Sequence, residues 1–193
     1  MILEFFLGFL NNPIIFILLI IILVYLLLSR GKPTLEGHWN TMIDNFSYST
    51  HEFYEQLTTE LQSHGINDLR IMTVQLSTGN IFSGKRLYLR VKWKDYTYDC
   101  CCALYGNGTF VSWWLLKNRF GLESLLASIP LIGTYLAQLF YPITYYKIDT
   151  GSMFMTYAQN SVLSVIDNIT KDQGVRSLTE AERKPILRDV FKR

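Results

Sequence analysis

Fifteen consecutive residues, Ile14 to Leu28 (IIFILLIIILVYLLL), are all Ile, Leu, Phe or Val except Tyr25. No face of this run is polar, so it does not read as an ordinary surface helix. On an insertion scale, its aliphatic and Phe residues together favour hydrocarbon by roughly 4–8 kcal/mol. A helix from Asn12 to Ser29 measures about 27 Å, close to the roughly 30 Å hydrocarbon core of a bilayer. Pro13 suits its first turn, where no amide bond is lost. Met1 to Leu10 either extends the helix or lies beside it, with Phe5, Phe6 and Phe9 as apolar wedges. A cleaved signal peptide needs basic residues before the run and small ones after it. The only side-chain charge ahead is Glu4, and Leu26-Leu27-Leu28-Ser29-Arg30 offers no cleavage site. The expectation is a single-pass signal anchor over residues 1–31, with its transmembrane span at about 13–29.

Arg30 and Lys32 follow the run and no Lys or Arg precedes it, which predicts a cytoplasmic body. The adjacent Cys100, Cys101 and Cys102 agree, since a reducing compartment keeps them as thiols. Asn45-Phe-Ser47, Asn107-Gly-Thr109 and Asn168-Ile-Thr170 are formal glycosylation acceptors and point the other way, and the charge argument is preferred. The rest divides into a juxtamembrane linker (32–48), an α+β domain (49–174) with an apolar insert (122–141), and a basic C-terminal tail (175–193).

Within the domain, Ser49 stands three residues before Glu52, a capping-box spacing, and Phe53, Leu57 and Leu61 repeat on one helical face before Gly65. Met72, Val74 and Leu76 then alternate as a first strand. Leu87, Leu89, Val91 and Trp93 alternate with Tyr88, Arg90, Lys92 and Lys94, a half-buried strand with a basic outer face. A reversal at Lys94-Asp95 pairs Val91 with Tyr98, Leu89 with Cys100, Leu87 with Cys102 and Arg90 with Asp99. A second hairpin at Asn107-Gly108 pairs Leu104 with Val111, Cys102 with Trp113 and Cys100 with Leu115. Both registers set Cys100, Cys102 and Leu104 on one apolar face. The other face carries Cys101, Ala103, Tyr105, Phe110 and Trp114 beside Arg90 and Lys92, an apolar patch that needs a cover.

From Ser124 to Tyr146 the chain has no charge, but Pro130, Gly133 and Pro142 interrupt it. Three readings stay open there: an interfacial helix, a core or partner-binding helix, and a second span. Ile143 to Asp149 alternates as a last strand, and a helix near Ser152–Asp172 closes the domain before Gly174. The predicted fold is α+β: a transmembrane helix, then an antiparallel sheet of four to five strands packed with helices.

Chemistry is sparse. His51 and His64 lie about 20 Å apart along one helix, and His38 precedes Trp39, so no metal site is expected. Adjacent strand cysteines point to opposite faces and read as small core hydrophobes. Gly106-Asn107-Gly108 and Ser83-Gly84-Lys85 lack phosphate-loop spacing. Asp149-Thr-Gly151 resembles the triplet of aspartic proteases and keeps open a hydrolase with an acidic site at Asp149. Lys85, Arg86, Arg90, Lys92 and Lys94 gather with Tyr88. A net charge of +2 argues against a chain that coats nucleic acid, and no nucleic-acid partner is expected.

The function expected is therefore non-enzymatic and without a cofactor: a membrane-anchored, cytoplasmic-facing domain that binds a protein partner, or a second copy, or docks on the bilayer. The contact surface is expected at Trp114, Ile129, Leu131, Ile132, Leu136, Leu139 and Phe140, with Trp113 a neighbour better suited to the core. Arg30, Lys32, Arg90, Lys92 and Lys94 are expected to face a lipid surface. The alternative is an apolar ligand, such as a lipid, held between sheet and insert.

Overall fold

A computed structural model of the chain describes residues 13–28, 33–77, 84–119, 121–127 and 129–188. The elements run α1 (Pro13–Leu28), β1 (Thr34–Ile43), α2 (Thr50–Ser63), β2 (Arg70–Ser77), β3 (Lys85–Trp93), β4 (Tyr96–Tyr105), β5 (Gly108–Lys117), α3 (Gly121–Ala127), α4 (Gly133–Phe140), α5 (Tyr145–Asp172) and β6 (Ile186–Leu187). They form two compact units. A helical unit holds α1 and residues Asn118–Ile143, and a sheet unit holds Thr34–Lys117 with the chain from Thr144 onward.

The sheet unit is α+β. Its six antiparallel strands lie in the order β2-β3-β4-β5-β1-β6. The alternation of side chains along the strands sends Leu89, Val91, Tyr98, Cys100, Val111 and Trp113 to one face, where α2 and α5 cover them. Helix α2 starts where the capping signal places it, with Ser49 Oγ accepting from the Glu52 amide at 3.5 Å, and buries Phe53, Leu57 and Leu61. Helix α5 buries Phe154, Ala158, Val162, Val165, Ile166 and Ile169, a stripe at helical spacing. It ends at Gly174 (φ +66°), with the Val175 amide reaching back to Thr170 O at 2.8 Å.

Several expectations are corrected. The described stretch of helix α1 has 16 residues, about 24 Å of rise against the roughly 30 Å a span requires. Among the described residues no helix is long and apolar enough to cross a membrane. The transmembrane anchor, the single-pass topology and the cytoplasmic orientation that rested on them are therefore not supported. Arg30 and Lys32 lie outside the described residues, as do Met1–Leu10.

The stretch 32–48, read as a linker, contains β1, which sits inside the sheet between β5 and β6. The sheet has six strands rather than four or five. Ile143–Asp149 is not a strand. Thr144 caps α5, its hydroxyl accepting from the Lys147 amide at 3.3 Å, and the helix begins at Tyr145. Gly151 is what lets α5 lie close to the sheet, because a Cβ there would stand 2.9 Å from Tyr96 Oη. The segment 175–188 is stitched down rather than loose. Trp39 Nε1 donates to Glu182 O at 2.6 Å, and Arg183 pairs with both oxygens of Asp167 at 2.9 and 2.6 Å.

The first hairpin has the expected register, Leu89 opposite Cys100 and Arg90 opposite Asp99. The second is shifted: Tyr105 pairs with Gly108, Cys102 with Val111 and Cys100 with Trp113. Gly106, at φ +60°, takes the first loop position, so the loop is Gly106-Asn107 and not Asn107-Gly108. A loop with glycine first suits a type II′ turn. The partners move by two residues, so every side chain keeps its face.

Candidate functional site

The helical unit has the most unusual surface. In α4, Gly133 and Ala137, four residues apart, are buried. A Cβ on Gly133 would stand 2.6 Å from Leu126 O and 2.9 Å from Ala127 O, so only glycine admits the close approach to α3. The large residues point the other way: Ile132, Tyr135, Leu139 and Phe140 are exposed, with Leu122, Ile129 and Ile143 also exposed nearby in sequence. Leu131 is fully exposed with φ +67°, a left-handed conformation that costs a leucine about 1–3 kcal/mol. Leu136 is half-buried. Of the seven expected contact residues, six thus belong to this unit, and five of those are exposed. Tyr135 was not singled out from the sequence, although its spacing from Leu139 on one helical face could have found it. Helix α1 exposes apolar side chains from Ile14 to Tyr25 with no polar side at all.

Trp114, the seventh, lies on the outer face of the sheet unit. Its ring stacks on His38 at 5.1 Å and 12°. Arg90, Asp99, Trp114 and His38 follow one another across β3, β4, β5 and β1 as successive cross-strand partners. Arg90 grips Asp99 with two bonds of 2.7 Å, and this pairing raises the Arg90 pKa further. Lys94 Nζ sits 4.4 Å from the Trp93 ring centroid. Two of the expected surface cations thus have partners inside the fold. Lys92 faces Arg70 across the β2–β3 ladder. Trp113 is core, fully buried and stacked on Tyr98 at 5.1 Å. Tyr98 Oη and Trp113 Nε1 are both buried without a hydrogen-bond partner among the described residues.

Tyr54 of α2 carries a second polar feature of the core. Its hydroxyl donates to Leu87 O at 2.9 Å and accepts from the Cys102 amide at 3.1 Å. Leu87 and Cys102 are the pair that the sequence set opposite each other. The β3–β4 ladder stops at Leu89–Cys100, and the Tyr54 hydroxyl bridges the next rung.

All three thiols are buried, and burial raises the pKa of each, that of Cys102 to about 12. The native chain should therefore react slowly with Ellman's reagent near pH 8 and release three thiols only in denaturant. Rapid labelling of the folded chain would contradict this burial. Because the unfolded thiols ionise first, stability should fall as pH rises from about 9 to about 12.

The histidines lie apart: His51 is 3.3 Å from Glu55, His64 is 3.7 Å from Glu60, and His38 lies on Trp114. Among the described residues no three His, Cys, Asp or Glu side chains gather to hold a metal. Asp149 is exposed on the early turns of α5, so the Asp-Thr-Gly triplet is helical rather than a strand-end turn. One open groove between α2 and α5 is lined by Glu55, Gln56, Thr59, Glu60, Val165 and Asn168, a mostly polar set.

No family model and no curated protein matches the chain. Among solved structures, the crystal structure of TTHA0849 from Thermus thermophilus overlaps 70% of this chain and 98% of that chain, at 13% identity and a TM-score of 0.23. That likeness is too low to carry an argument about fold or function.

Proposed function

We propose that this chain is a non-enzymatic interaction module whose helical unit binds a protein partner. The observation that carries the reading is the inverted dress of α4, which keeps Gly133 and Ala137 inward and turns Ile132, Tyr135, Leu139 and Phe140 outward. A helix on a free surface does the reverse. Helix α1 supports the same reading. A helix apolar on every side is ordinarily either a membrane span or the interior of an assembly. Among the described residues no helix is long and apolar enough to cross a membrane, and a protein partner would take the apolar side chains from Ile14 to Tyr25 out of water. Large exposed apolar patches of this kind mark contact surfaces.

A photo-cross-linking residue in place of Leu139, in the full chain expressed in its own cells, tests the proposal. Discrete protein adducts should form there and be absent when the same residue replaces Gln56 on the exposed side of α2. Equal labelling at the two positions, or adducts to lipid alone at position 139, would overturn it.

A further inference from the structure

The two edges of the sheet are built differently. Strand β6 has two residues and follows Pro185, so that edge is short and blunted. Strand β2, at the other end, runs eight residues, about 26 Å. It pairs with β3 on one side and with no strand on the other among the described residues. From Ile71 to Ser77 it contains no charge, proline or glycine, the devices that normally keep an edge from recruiting another strand. Its outer-face residues Met72 and Leu76 remain 39% and 36% exposed.

We infer that β2 is a self-association edge: two copies of the chain join antiparallel through β2 about a two-fold axis at Val74. A closed dimer of this kind requires a surface that complements itself, and β2 reads alike for two residues in both directions from Val74. Thr73 and Gln75 come first, and Met72 and Leu76 next. Centred there, Val74 faces Val74 of the second copy and Met72 faces its Leu76, joining aliphatic side chains directly across the new ladder. Residues of like parity face each other, so the outer faces of both sheets stay on the same side. Arg70 falls outside the stretch from Ile71 to Ser77, and no like charges meet within it. Six strands from each copy then form one continuous sheet. The edge belongs to the sheet unit, so the inference stands or falls apart from the protein partner proposed above.

The test uses the full chain carrying Val74→Cys. The three native thiols are buried, which leaves position 74 as the reactive one. Under mild oxidation, a disulfide-linked dimer should form about tenfold faster than with Thr59→Cys on the exposed side of α2, because the two-fold axis holds the new thiols together. Val74→Lys, which sets two ammonium groups face to face, should abolish the dimer in sedimentation while leaving the circular dichroism spectrum unchanged. Cross-linking at position 74 no faster than at 59, a dimer that survives Val74→Lys, or a β2 edge occupied by a different protein would each overturn the inference.

Discussion

Replacing Phe154 with alanine should lower the unfolding free energy of the sheet unit by about 3–5 kcal/mol, as deletion of a fully buried ring typically does. Phe154 is the point where α5 meets the strands. Its ring centroid lies 5.5 Å from Trp93, 6.4 Å from Tyr96 and 6.3 Å from Tyr98. These neighbours are anchored themselves: Tyr98 is stacked on Trp113, and Tyr96 Oη donates to Lys147 O at 2.9 Å. They cannot all collapse into the vacated space, so the cavity term adds to the lost burial. Denaturant unfolding followed by tryptophan fluorescence reads the loss, with Phe154→Leu expected to cost clearly less. Equal costs for the two variants would mean that the ring is not packed as described.

The second large effect is expected at Tyr54. Tyr54→Phe keeps the ring and removes one oxygen, yet it should cost about 2–3 kcal/mol because it strips a partner from two backbone groups at once. The Cys102 amide and the Leu87 carbonyl both depend on that hydroxyl. Burial also pushes the Tyr54 pKa well above the usual tyrosine value, which keeps the hydroxyl proton in place for donation. Tyr48→Phe is the matched control. The Tyr48 hydroxyl accepts from Gln56 Nε2 at an exposed site, where its removal should change stability by about 0.5 kcal/mol or less. An unchanged unfolding midpoint for Tyr54→Phe would mean that β3 and β4 close directly on each other when the wedge is gone.

The central hairpins were legible because their apolar positions alternate and their reversals carry turn residues. The slip at Gly106 left the face assignments intact, since it moved the pairing by an even number of residues. Strand β1 was not legible. Its inward positions are Gly37, Trp39, Thr41 and Ile43, of which only two are strongly apolar, and a register shift between Leu35 and Gly37 breaks its period. The start of α5 misled for the opposite reason. Ile143–Asp149 alternates like a strand, but the cap at Thr144 and the sheet contact at Gly151 make it helical. The apolar run before Leu28 was plain in composition, and Pro13–Leu28 is helical as expected. Within the candidate site, composition named most of the apolar residues, but only the close approach of Gly133 to α3 tells which side of α4 is turned outward.

The position of β1 fixes the order in which the molecule can be finished. Although synthesised early, this strand is flanked by β5 on one side and by β6, near the end of the chain, on the other. The Trp39 indole likewise finds its acceptor only at Glu182. A nascent chain therefore carries β1 unpaired until β5 has been made, and one side of β1 stays open until β6 follows. Such sequence-distant pairing makes for slow assembly, and the segment around β6 acts as a late clasp on the open side of a strand already held by β5.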